Sequence, residues 1–121
     1  MEHPKIEYTC DFLAKAEEWC WRAFKVYQAA QDDADILHDS AKDLLASLMS
    51  RIDKPEEKNS EAKLERLARD SEEWRKFKMG EHAAIQKAGE SKVKYYSAVR
   101  MWDSTVNGIS YRKAELTKLG A

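Results

Sequence analysis

Long apolar runs are missing from this chain, and so are most of the residues that interrupt helices. Nowhere do about 18 apolar residues follow one another, the length that a bilayer demands, so no segment is expected to span a membrane. The opening string Met-Glu-His-Pro-Lys lacks the basic-then-apolar order of a secretion signal. A soluble protein of the cytoplasm is the expectation. Only two prolines and four glycines punctuate 121 residues, which predicts high helix content and almost no strand.

Cysteine is scarce as well. Cys10 and Cys20 lie about 15 Å apart along one expected helix, beyond the reach of a disulfide with each other. They read as reduced, small packing residues. No Gly-rich phosphate loop, Cys-x-x-Cys or His-x-x-x-His is present, and His3, His38 and His82 are scattered. Nucleophilic catalysis therefore has no local signature, and no cofactor is implied.

What the chain does have is apolar residues at steps of three and four. One series runs Phe12, Ala16, Trp19, Ala23, Val26, Ala30, Ala34, Leu37, Ala41, Leu44, Leu48 and Ile52, a pattern that only an α-helix keeps on one face. A second runs Leu64, Leu67, Trp74, Ile85, Ala88, Tyr95, Val99, Trp102, Val106, Ile109 and Leu116. The predicted fold is all-α, a long antiparallel helical hairpin within a single domain. Its parts are an arm over 1–8 with Pro4 blocking an earlier start, a helix over 9–52, a turn over 53–60 and a helix over 61–118.

Local signals leave some boundaries open. Thr9 or Asp11 can cap the first helix. Asp53 with Glu56 reads as a capping box that tolerates Pro55, while Asn59 and Ser60 before Glu61 give a later start. The steps Val26–Ala30–Ala34 and Leu44–Leu48–Ile52 are stutters that favour straight helices over a supercoiled zipper. Gly80 and Gly89 each cost about 1 kcal/mol inside a helix. Asn107-Gly108 is a stronger turn signal that would set off a short third helix capped by Ser110, but Val106, Ile109 and Leu116 stay on the same seam and favour a continuous or merely kinked helix.

The apolar surface is wider than two helices can cover. Leu13, Cys20, Phe24 and Tyr27 form a stripe beside the first seam, Leu45 and Met49 widen it, and Trp21 points nearly opposite to Trp19. Homo-oligomerisation into a helical bundle is the economical answer, with Trp19, Trp21, Phe24, Trp74, Tyr95 and Trp102 as the expected interface.

Charge is divided between the halves: 8 Lys+Arg against 13 Asp+Glu over 1–60, then 13 against 9 over 61–121. The plain reading sets a basic helix against an acidic one. The functional reading gives Lys76, Lys87, Lys94 and Arg100 to phosphates, with Trp74, Phe77, Tyr96 or Tyr111 stacking on unpaired bases of single-stranded nucleic acid.

Metal chemistry is less supported. Asp32, Asp35, His38 and Asp39 share a helical face, yet a di-iron bundle needs two Glu-x-x-His pairs and only Asp35-x-x-His38 comes near. Glu17, Glu18, Asp39 and Asp43 raise a magnesium-dependent nucleotide pyrophosphohydrolase of all-α type, but Trp21 and Arg22 stand where a second ligand belongs. No metal site is expected.

From Glu61 onward, Leu64-x-x-Leu67-Ala68, Trp74, Val99-Arg100-Met101-Trp102-Asp103-Ser104 and Ser110-Tyr111-Arg112-Lys113-Ala114-Glu115-Leu116 resemble small helical proteins of phages and prophages, often encoded beside single-strand annealing recombinases. Asn107-Gly108 departs from that pattern. The two seams and the surplus apolar surface point to a non-enzymatic helical assembly protein, for which the resemblance implies a phage or prophage origin and a bacterial host cytoplasm. As an alternative, the charge asymmetry and the resemblance together imply an accessory factor in phage DNA recombination or replication, bound to single-stranded DNA or to a recombination protein.

Overall fold

The computed structural model describes residues 5–54, 56 and 58–120, and holds three helices: α1 (Cys10–Ile52), α2 (Glu61–Arg69) and α3 (Glu72–Gly120). Among the described residues there is no strand, and α1 packs against α3 as an all-α helical hairpin. No described helix is long and apolar enough to cross a membrane. The roles read for His3, Pro4 and Pro55 lie outside the described residues.

Each helix begins where a hydroxyl can take an orphan backbone N–H. Thr9 rather than Asp11 caps α1, its Oγ1 accepting from the Phe12 N–H at 3.1 Å. At the turn the later start prevails, for Ser60 Oγ accepts from the Lys63 N–H at 3.2 Å and α2 opens at Glu61.

The helix expected over 61–118 is broken between Arg69 and Glu72. Asp70 ends α2 in a right-handed helical conformation. Ser71 then serves both sides of the break, donating to the Ala68 carbonyl at 2.6 Å and accepting from the Trp74 N–H at 3.2 Å. Acidic Glu72 and Glu73 follow in the first turn of α3, where they complement the helix dipole. Through Asn107-Gly108, by contrast, α3 is continuous, and no glycine has positive φ.

Gly108 has a different task. The Tyr8 ring lies where a Cβ at Gly108 would stand, with its Cγ at 3.0 Å from that position and Cδ1 and Cε1 nearer still. A missing side chain on α3 thus forms the seat for the arm.

The buried lines follow a strict sevenfold repeat. On α1 they are Ala16, Ala23, Ala30, Leu37, Leu44 and Cys20, Tyr27, Ala34, Ala41, Leu48, all buried or half-buried. Tyr27 therefore replaces Val26, which is exposed, and the expected stutter there disappears. On α3 the lines are Trp74, Glu81, Ala88, Tyr95, Trp102, Ile109 and Phe77, Ala84, Ser91, Ala98, Thr105. Ile85, expected in the seam, is exposed. Glu81, Ser91 and Thr105 occupy the line instead, with Thr105 Oγ1 donating to the Met101 carbonyl at 2.7 Å.

The chain divides into two compact units, residues 1–28 with 89–121 and residues 29–88. In the first, Phe12, Ala16 and Met101 form the core, flanked by Ile6, Trp19 and Trp102. In the second, one cluster is Leu48, Ala68 and Trp74 with Leu44, Leu45, Met49, Ile52 and Phe77 around it, and another is Ala30, Ala34 and Ala88 with Ala84. Arg51 closes the larger cluster with two bonds to Glu73, at 3.0 and 2.8 Å.

Candidate interaction groove

The six aromatic residues expected at an oligomer interface part company. Trp74 is buried in the second unit, between the cations of Arg69 at 5.6 Å and Lys78 at 5.1 Å. Trp19 sits half-buried with its ring edge-on to Phe12 at 5.7 Å. Both are committed to packing inside the chain. The other four, Trp21, Phe24, Tyr95 and Trp102, meet in the first unit, where with Glu17, Cys20 and Val99 they line a groove of about 480 Å³.

Helical spacing explains the assembly. Glu17, Cys20, Trp21 and Phe24 fall three or four residues apart along α1, and Tyr95, Val99 and Trp102 do so along α3, so each set projects from one face. The rings form a connected sheet. Trp21 stacks on Phe24 at 6.0 Å, Phe24 tilts onto Tyr95 at 5.4 Å, and Tyr95 stacks on Tyr27 at 6.0 Å. Two lysines one helical turn from their rings cap its margins, Lys25 over Trp21 at 5.2 Å and Lys92 over Tyr96 at 5.6 Å.

One end of the groove is acidic. The Trp102 indole N–H donates to Glu17 at 3.4 Å. Burial, then the nearby carboxylates of Asp103 and Glu17, push the Cys20 thiol above its ordinary value, which keeps it protonated and a poor nucleophile. Among the described residues no histidine lines the groove. The groove is apolar over most of its area, with carboxylate at one edge. Its volume falls in the range of about 300–1,000 Å³ usual for ligand sites.

No family model matches the chain. No curated protein and no solved structure matches it either.

The other expected sites do not converge. Lys76 pairs with Glu72 at 3.4 Å in the second unit, where Lys87 is also exposed, while Lys94 and Arg100 are exposed in the first. Asp32, Asp35, His38 and Asp39 are exposed, with Asp35 accepting from the Gln31 amide at 3.0 Å. Glu18 is held by Arg22. Among the described residues no three His, Cys, Asp or Glu side chains gather as a metal site. The groove was only half legible beforehand: its aromatic residues stood out, but their division into packed and available sets depends on which residue of each turn faces the partner helix.

Proposed function

We propose that this chain is a non-enzymatic helical interaction protein that assembles with copies of itself through the aromatic groove of its first unit. The supporting observation is that four large rings meet at one surface, three of them half-buried and Trp21 still 59% exposed. Aromatic side chains of this kind are the usual anchors of protein interfaces, since they cover much area with few rotatable bonds. The resemblance to phage proteins adds a recombination protein of phage DNA metabolism as a natural client of the assembly.

Sedimentation of the full chain tests the reading. The wild type should associate with rising concentration, and Trp21→Glu should return it to a 14.0 kDa monomer with an unchanged helical spectrum. A wild type that stays monomeric at every concentration overturns it.

A second reading, contact with single-stranded nucleic acid, draws on one observation: Tyr96 is 47% exposed beneath Lys92, two residues from Lys94. Binding of a labelled oligonucleotide that weakens steeply with salt, and is lost when Lys87, Lys94 and Arg100 are replaced together by Glu, would support it.

A further inference from the structure

Helix α3 outruns everything that covers it. Every residue from Tyr111 to Gly120 is exposed, including Tyr111 at 68%, Leu116 at 62% and Leu119 at 85%. The two leucines are not scattered surface residues. Leu116 continues the sevenfold line of Tyr95, Trp102 and Ile109, and Leu119 that of Ala98, Thr105 and Arg112, so they extend the seam that faces α1 farther back. Nothing described reaches them: α1 opens at Cys10, Ile6 is spent on the Phe12 cluster, and Tyr8 on Gly108.

The first unit therefore carries two unfinished apolar surfaces, one concave and one convex. Their charges are opposite. The helix end has Arg112, Lys113 and Lys118 against Glu115. The groove has Glu17 on its wall and Asp103 on α3 beside it, and neither carboxylate is held in an ion pair among the described residues.

Building on the self-assembly reading above, we propose that the groove of one copy receives the Tyr111–Gly120 segment of α3 from a second copy. Leu116 and Leu119, three residues apart, are the anchors of a helix laid in a groove, seated against Trp21, Phe24, Tyr95 and Trp102. Arg112 and Lys113 meet Glu17 and Asp103 at the rim. Reciprocal exchange in a twofold pair supplies two seats, each copy giving one segment and taking one.

The test is complementation between two disabled copies. Trp21→Glu blocks the groove but keeps the segment; Leu116→Asp with Leu119→Asp blocks the segment but keeps the groove. All three positions are exposed, and circular dichroism checks that each variant remains helical. By sedimentation velocity the wild type should dimerise and each variant alone should be monomeric. An equal mixture of the two should associate again, about tenfold or more weaker than wild type because one seat remains, and raised salt should weaken it further.

A monomeric wild type overturns this proposal together with the self-assembly reading. If Trp21→Glu abolishes association while the double leucine variant still dimerises, the groove remains an interface and the proposed occupant is wrong. Loss in both variants without recovery in the mixture also refutes the exchange, since it shows that the two surfaces do not meet each other.

Discussion

Replacing Gly108 with alanine sets a methyl group where the Tyr8 ring lies, and two opposing effects follow. Alanine in place of glycine in a helix interior is worth about 1 kcal/mol in favour of folding. Against this, the ring must leave its seat, because its Cδ1 and Cε1 stand too close to the new Cβ for a small shift to suffice. Tyr8 is 48% exposed, so roughly half of a tyrosine's ~200 Å² is covered. At about 25 cal/mol per Å², releasing it costs about 2.5 kcal/mol. Displacement wins, and Gly108→Ala should destabilise by about 1–2 kcal/mol.

In a Tyr8→Ala background the methyl group meets no ring, and the same substitution should stabilise by about 1 kcal/mol. The sign reversal is the diagnostic. Urea denaturation of the four proteins in this cycle, followed by circular dichroism, measures it as a coupling of about 2 kcal/mol or more. If Gly108→Ala stabilises equally with and without Tyr8, the ring does not rest on Gly108 and the account of the arm is wrong.

Two further outcomes are expected of the second unit. Glu81 is 8% exposed on the α3 packing line, with Oε1 held by Lys78 at 3.2 Å and Oε2 buried without a hydrogen-bond partner. Glu81→Leu should therefore raise stability by about 1–3 kcal/mol, and a lowered urea midpoint would show that the carboxylate has a partner after all. The hydrogen bonds and then the charge of Arg51 hold the Glu73 carboxyl below its ordinary value of 4.5. A carboxyl lowered in the folded state contributes stability above that ordinary value and loses it as pH falls through the folded one. The gap in urea midpoint between wild type and Glu73→Gln should thus close on acidification from about pH 7 to about pH 3, and a constant gap would refute the linkage.

Periodicity carried most of the fold, since apolar steps of three and four admit only helices and one polar turn admits only a hairpin. It erred at positions where size and polarity conflict. Val26 is more apolar than Tyr27, yet Tyr27 keeps the sevenfold spacing between Cys20 and Ala34, and geometry overrode hydropathy. Glu81, Ser91 and Thr105 escaped notice for the same reason, being polar residues on a line chosen for apolar ones. The break at Asp70-Ser71 has no glycine or proline to announce it. Its signal was Ser71 followed by two glutamates, an N-cap before an acidic first turn.

At Asn107-Gly108 the seam of Val106, Ile109 and Leu116 outweighed the turn signal, and α3 runs through it. Glycine in a tight turn and glycine under an aromatic ring look identical in one dimension, and only the position of Tyr8 separates them. For the groove, Trp19 and Trp21 have equal chemistry, and the one that packs inward is decided by their separation of about 200° around the helix, two steps of about 100°.

The alanines of the second unit govern how this protein can change over generations. Where Ala30, Ala34, Ala84 and Ala88 meet, two backbones face one another across methyl groups, and nearly any larger side chain must push them apart. In a library of random variants the depleted positions should be these inconspicuous ones, while bulky Met79 and Val93, 73% and 69% exposed, drift freely. Constraint in this chain would then track the space between its helices rather than the prominence of its side chains.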